Sequence, residues 1–164
     1  MKFFYYILFL FTVSSYSQNI IIGDSQVPFI DTQTIKAKRD NSLWKGGIGI
    51  DELTLMVRRH SLSTSTRNVI ISIGTNDRYS GDVKSLYRAL KYTFPYAKFY
   101  LVPGSWGWGG VKRTTIKDVN LYCQKHVKEG AFVIPLAIGP GDPHRNKESY
   151  VLIGQYIDEI LTNN

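Results

Sequence analysis

Apolar and polar positions alternate along the chain in two periods, and the switches between them mark out the elements. Asn19-Ile20-Ile21-Ile22 is a short apolar run closed by Gly23, which predicts a buried strand. Gln26 to Lys38 is ambiguous between a short helix and an irregular loop, broken at Pro28, and Ser42 to Lys45 reads as a weak edge strand. From Asp51 to Arg59 the apolar positions Leu53, Met56 and Val57 fall on one helical face, ended by His60 and the hydroxyl-rich run Ser61 to Thr66. Val69-Ile70-Ile71-Ser72-Ile73 is nearly all apolar, the pattern of a central parallel strand covered on both faces. Ser80-Gly81-Asp82 then caps a helix carrying Val83, Leu86, Tyr87 and Leu90 at i, i+3, i+4, i+7, which Pro95 stops.

The alternation continues to the C-terminus. Lys98 to Val102 predicts a strand ended by Pro103-Gly104, Ile116, Val119, Cys123 and Val127 predict a helix, and Ala131 to Leu136 predicts an edge strand, since Pro135 lacks a donor. Tyr150, Ile153, Ile157 and Ile160 mark a final helix. Strand followed by helix throughout, with no repeat or linker, predicts an α/β domain whose parallel sheet carries helices on both faces.

Residues 1–17 stand apart. Lys2 is followed by an apolar stretch from Phe3 to Val13 and then Ser15-Tyr16-Ser17, the order of a secretory signal cleaved before Gln18. An uncleaved anchor is the alternative, but the stretch is short for a bilayer. The expected organisation is therefore a signal peptide, 1–17, and one domain, 18–164, secreted or periplasmic and without stable membrane insertion once cleaved. A hydrophobic fraction of 43% and a charged fraction of 20% exclude a disordered chain. The formal net charge of +7 is spread over scattered pairs such as Arg58-Arg59 and Lys112-Arg113, with no nucleic-acid motif, so it reads as a solvated surface. Cys123 is the single cysteine, so no intrachain disulfide forms.

Three places carry candidate chemistry. Gly23-Asp24-Ser25 follows the first strand, Gly74-Thr75-Asn76-Asp77 follows the central one, and His144 sits in a Gly/Pro-rich loop before the last helix. A serine hydroxyl needs a base to take its proton, and an acyl-transfer intermediate needs donors for its oxyanion. Ser25, His144 and Asn76 are able to divide those tasks, because strand-end loops of a parallel sheet meet at one edge. Each has a plainer reading: Ser25 as a helix cap, Asn76 as an Asx-turn residue, and His60 or His126 in place of His144 as the base. His126 lies on an amphipathic helix among lysines and His60 at a helix end, which favours His144.

These blocks together resemble the SGNH, or GDSL, hydrolases. The resemblance runs from Ile20 to the final helix, with Gln26 where the family name has Leu and Gly141 where the family has the Asp of Asp-x-x-His. It implies a three-layer flavodoxin-like sandwich with a sheet of about five parallel strands, Ser25 as nucleophile and His144 as base. The imidazole is then held either by Asp142 or by a backbone carbonyl. The oxyanion hole is formed by the Ser25 N–H, Asn76 and a glycine, Gly47 by preference and Gly49 as its competitor, while Asp77 braces the loop. From their own setting, Trp106 and Trp108 among glycines and Tyr79 after the Gly74-Thr75-Asn76-Asp77 block are expected around the mouth as substrate-binding aromatics, with plugging of the sheet end as the plainer reading of the tryptophans. The implied activity is a serine esterase acting on short acyl esters, with O-acetyl groups on a carbohydrate favoured, and with no cofactor, metal or nucleic-acid partner. A glycan-binding module without turnover and a lipolytic acylhydrolase are the alternatives.

Overall fold

Ile20 and Ile22 are buried on one face of their strand and Ile21 on the other, and that division explains the layers. The computed structural model describes residues 18–77, 82–104, 121 and 144–163. These contain β1 (Asn19–Gly23), α1 (Val27–Asp31), β2 (Lys38–Trp44), α2 (Ile50–Arg59), β3 (Asn68–Ile73), α3 (Val83–Thr93), β4 (Lys98–Pro103) and α4 (Lys147–Asn163). The four strands form one parallel sheet in the order β2-β1-β3-β4. Successive side chains on a strand point to opposite faces. Ile20, Ile22, Val69, Ile71, Ile73, Phe99 and Leu101 therefore join Leu53, Val57, Leu86 and Leu90 of α2 and α3 in one core. On the other face Ile21, Ile70, Tyr100 and Val102 join Val27 and Ile30 of α1 and Tyr150, Ile153 and Ile157 of α4. The result is the expected three-layer α/β sandwich, with four strands among the described residues. The segment 131–136, read as a fifth strand, and the helix expected around Cys123 lie outside them, as does the 1–17 leader.

Two local expectations change. Pro28 does not break the segment after β1. It sits in the first turn of α1, where its missing N–H would have had no intrahelical partner. The edge strand β2 spans Lys38–Trp44, longer than the Ser42–Lys45 expected, and Leu43 is its one buried residue. An edge strand earns its place through backbone pairing with β1, here with a register shift between Ile21 and Gly23, so its side chains carry little apolar signal. The helices match more closely: α3 is capped by Asp82, whose carboxylate accepts from Ser85 N–H, and the buried face of α2 is made by Ile50, Leu53, Thr54 and Val57, with Met56 only half-buried.

Strand order fixes where a site belongs. From β1 the chain turns one way to β2 and then crosses back to place β3 on the other side of β1, so a crevice opens beyond the C-terminal ends of β1 and β3. Gly23 closes β1 at that point with φ of 133°, and a Cβ there would lie 1.8 Å from Ser72 O. Only glycine lets β1 and β3 approach so closely. The Asp24 N–H then donates to Ser72 O at 2.9 Å, carrying the pairing one residue beyond the strand.

Candidate active site

The turn after β1 turns its middle residue outward. Gln26 N–H donates to Asp24 Oδ1 at 3.0 Å and Val27 N–H to Asp24 O at 3.1 Å, so Asp24 and Gln26 are drawn fully into the interior. Ser25 between them stays half-buried, at the crevice end of the sheet. No side chain caps α1, whose cap position is Gln26, so the helix-cap reading of Ser25 does not describe this turn.

His144, just before α4, reaches the same point from the far end of the chain. Its Nε2 lies 3.2 Å from Ser25 Oγ, within hydrogen-bond distance. The Phe29 ring lies against the imidazole with centroids 5.0 Å apart, and stacks on Tyr150 at 5.2 Å. His60, the rival base among the described residues, ends α2 and lies 3.4 Å from Asp40 instead.

Asn76 follows β3, and its side-chain amide donates to Ile48 O at 2.9 Å. This ties the β3 loop to the loop between β2 and α2, which is itself anchored beside the nucleophile turn by Lys45 N–H donating to Gly23 O at 3.0 Å. Within that loop each glycine has a distinct neighbour. A Cβ on Gly46 would lie 3.8 Å from Ser25 Cβ, one on Gly49 only 2.7 Å from Asp77 Oδ1, and one on Gly47 would meet nothing within 4 Å, although its φ of 79° suits glycine. Asp77 accepts from Ile50 N–H at 2.8 Å at the start of α2, where a negative charge also complements the helix dipole. It braces this loop.

The structure therefore brings Ser25 and His144 into contact and sets Asn76 and the 46–49 loop at the same sheet end. Asp142, Tyr79, Trp106 and Trp108 lie outside the described residues.

Beneath the surface pair is a buried polar layer that sequence reasoning missed. Gln26 Nε2 donates to Thr75 Oγ1 at 2.6 Å, and Gln26 Oε1 accepts from Arg145 Nε at 3.0 Å. Arg145 also donates through Nη2 to Pro103 O, and its backbone N–H donates to Tyr150 OH at 3.2 Å. Burial pushes the Arg145 pKa down, while Tyr150 and Asp24 work against that shift. Asp24 is fully buried, and burial pushes its pKa up to about 7 against the opposing Gln26 N–H and Thr75 hydroxyl; nearby Asp77 adds to the rise and Arg145 reduces it. Asp77 is pushed up to about 6, again chiefly by burial, with the Ile50 N–H opposing and Asp51 adding. The available signal was adjacency: Gln26 follows the candidate nucleophile and Arg145 follows the candidate base. An arginine in a Gly/Pro-rich loop otherwise reads as solvated.

At the level of sequence, no family model and no curated protein matches the chain. Solved structures do match. A member of the lipolytic protein G-D-S-L family from Veillonella parvula is similar at 16% identity with a TM-score of 0.59, over 88% of this chain and 98% of its own. The lipase/acylhydrolase from Enterococcus faecalis is similar at 15% identity and a TM-score of 0.61, over 88% of this chain and 95% of its own. A carbohydrate esterase family 2 enzyme with a carbohydrate binding domain, from Corynascus thermopiles, is similar at 17% identity and a TM-score of 0.50, over 88% of this chain and 65% of its own. Sheet order, layers and these likenesses agree: the chain has the fold of the SGNH, or GDSL, hydrolases.

Proposed function

We propose that the chain is a serine esterase that hydrolyses short acyl esters through an acyl-enzyme. The observation that carries this reading is the 3.2 Å approach of His144 Nε2 to Ser25 Oγ, an alcohol beside a base at the crevice of the sheet. In this reading Ser25 Oγ attacks the ester carbonyl carbon as Nε2 takes the hydroxyl proton. The tetrahedral intermediate collapses with cleavage of the ester C–O bond, and the imidazolium returns that proton to the leaving alcohol. Water then attacks the acyl-enzyme with His144 again as base, releasing the acid and restoring Ser25. Either Asp142 or a backbone carbonyl holds the other ring nitrogen.

The oxyanion is met by the Ser25 N–H, the Gly47 N–H and the Asn76 amide. An amide group has two N–H donors. The one bonded to Ile48 O orients the group, and in this reading the second is offered to the substrate. Such a donor is worth about 3 kcal/mol of transition-state stabilisation.

As the ester substrate we favour O-acetyl groups on a carbohydrate. Phe29, 44% exposed and against His144, offers an aromatic face beside the reacting atoms, and one similar structure is named a carbohydrate esterase. Trp106, Trp108 and Tyr79 would extend that surface. The lipolytic names of other similar structures support long-chain acyl esters as the second reading. A chain-length series of p-nitrophenyl esters decides between them: acetate is expected to turn over fastest and to be joined by acetate release from an acetylated polysaccharide, whereas a maximum at octanoate or longer selects the lipolytic reading. Absence of turnover on every ester, with retained binding to the polysaccharide, would reject the enzyme altogether. The leader read in residues 1–17 would put the activity outside the cytoplasm; N-terminal sequencing of exported protein should begin at Gln18, and retention of Met1 would count against cleavage.

A further inference from the structure

We propose that Gln26 and Arg145 act as a positioning clamp that holds the imidazole of His144 at the Ser25 hydroxyl, an inference that rests on the esterase reading. Two segments far apart in sequence meet in register. Ser25 contacts His144 at 3.2 Å, and the next residue on each side, Gln26 and Arg145, pair at 3.0 Å. The outer pair faces the crevice and the inner pair is buried, Gln26 at 0% and Arg145 at 6% exposure.

The inner pair is tied on all sides. Gln26 Nε2 reaches Thr75 Oγ1 beyond β3, Arg145 Nη2 reaches Pro103 O at the end of β4, and the Arg145 N–H reaches Tyr150 OH in the first turns of α4. Arg145 thus links the ends of β1 and β4 with the start of α4, and Gln26 adds β3. A guanidinium presents its donors in a rigid planar fork, so these partners fix the place of the residue and not merely its charge. Moving the His144 backbone would strip a buried cation of its acceptors, which is costly in an apolar interior. Tyr150 couples the clamp to the ring itself: its hydroxyl accepts from Arg145 N–H while its ring stacks on Phe29, which lies against the imidazole. The polar residue at 26, where the family name has leucine, has a use here that leucine cannot fill, since leucine has no oxygen to accept from Arg145.

The test must separate positioning from simple stability. Gln26→Leu and Arg145→Met remove the two halves of the clamp, Arg145→Lys keeps the charge without the fork, and Gln26→Glu keeps an acceptor for Arg145. Turnover of p-nitrophenyl acetate and the rate of Ser25 labelling by a fluorophosphonate are measured well below each variant's melting temperature and referred to folded protein. We expect Gln26→Leu and Arg145→Met each to lower kcat by about 10- to 100-fold with KM within about threefold of the parent, and labelling to slow in parallel. The double variant should be no worse than the more severe single one, because both remove the same restraint. Gln26→Glu should recover at least about fivefold over Gln26→Leu. If Arg145→Met does not fold, Gln26→Leu and Arg145→Lys carry the same expectation.

Folded variants with parental kcat and labelling rate, however reduced their melting temperature, would show that the pair serves the fold alone and overturn the clamp. So would effects that multiply in full in the double variant. Ser25→Ala is the control: if it is inactive while Arg145→Met keeps parental kcat, the clamp falls and the esterase reading stands. If Ser25→Ala retains turnover, both fall.

Discussion

Ser25→Ala is expected to lower kcat for p-nitrophenyl acetate by roughly four orders of magnitude or more while leaving the melting temperature where it was. The activity side follows from covalent catalysis: without Oγ no acyl-enzyme forms, and what remains is water attacking an ester held near Asn76 and the backbone donors. The stability side follows from the turn itself. Ser25 is half-buried, caps no helix, and has His144 as its side-chain partner, so removing one hydroxyl opens no cavity and orphans no buried group. His144→Ala should have a similar effect, and the double variant little more, since nucleophile and base act as a unit. Turnover by purified Ser25→Ala within tenfold of the parent, at equal melting temperature, would remove Ser25 as nucleophile.

Folding stability should fall as pH rises from about 4 to about 8, and Asp24→Asn should abolish most of that loss. Asp24 has an ordinary pKa of 3.8 in the unfolded chain and about 7 in the folded one, chiefly because its carboxyl is buried away from water. Among the described residues its Oδ2 has no hydrogen-bond partner, in keeping with a site that favours the neutral acid. Below the unfolded value both states carry the proton; between the two values the folded state alone keeps it; above about 7 the folded chain must bury the charge. Stability from this group is therefore fully present in acid and lost as pH climbs through the folded pKa. A shift of this size corresponds to something on the order of 4 kcal/mol. Asp77, raised to about 6, adds in the same direction. Two other carboxylates act oppositely. Asp82 is held below its ordinary pKa by the Ser85 hydroxyl and N–H, and at Asp158 partial burial is outweighed by donors from Thr34, Ile35 and Lys36, so both lose their contribution below about pH 4. The maximum should lie on the acid side of neutrality. The amide introduced by Asp24→Asn would stay neutral at every pH, and its carbonyl oxygen would still accept from the Gln26 N–H. Urea midpoints of parent and Asp24→Asn at pH 5 and pH 8 check this: the parent should lose stability between them and the variant far less. Equal losses in both would show that Asp24 is not the group responsible.

Most of the architecture could be read from local pattern because burial on both faces leaves a local mark. Val69 to Ile73 and Lys98 to Val102 emerge within one residue of β3 and β4, since a strand covered on two sides must be apolar almost throughout. The α2 and α3 helices announced themselves through one-sided spacing. The edge strand β2 did not, because Leu43 alone among its residues is buried, and its hydrogen bonds to β1 leave no side-chain trace. Pro28 misled for a related reason: the same residue ends a helix or begins one, depending on a position that local sequence leaves open.

Ser25, Asn76 and His144 could be nominated from their residue types and from the turns that hold them, since each follows a strand or precedes a helix with its own local signature. Linear order carries that much because strand ends, glycine turns and caps are decided within a few residues. The pairing of Gln26 with Arg145, the neutral acid at Asp24 and the attachment of Asn76 to Ile48 belong to the folded chain, because each depends on which backbones surround a side chain and how much water is left there. A string of residues specifies which groups are present. Distances between segments more than a hundred residues apart, and the dielectric around a carboxyl, exist once the sheet has closed around them.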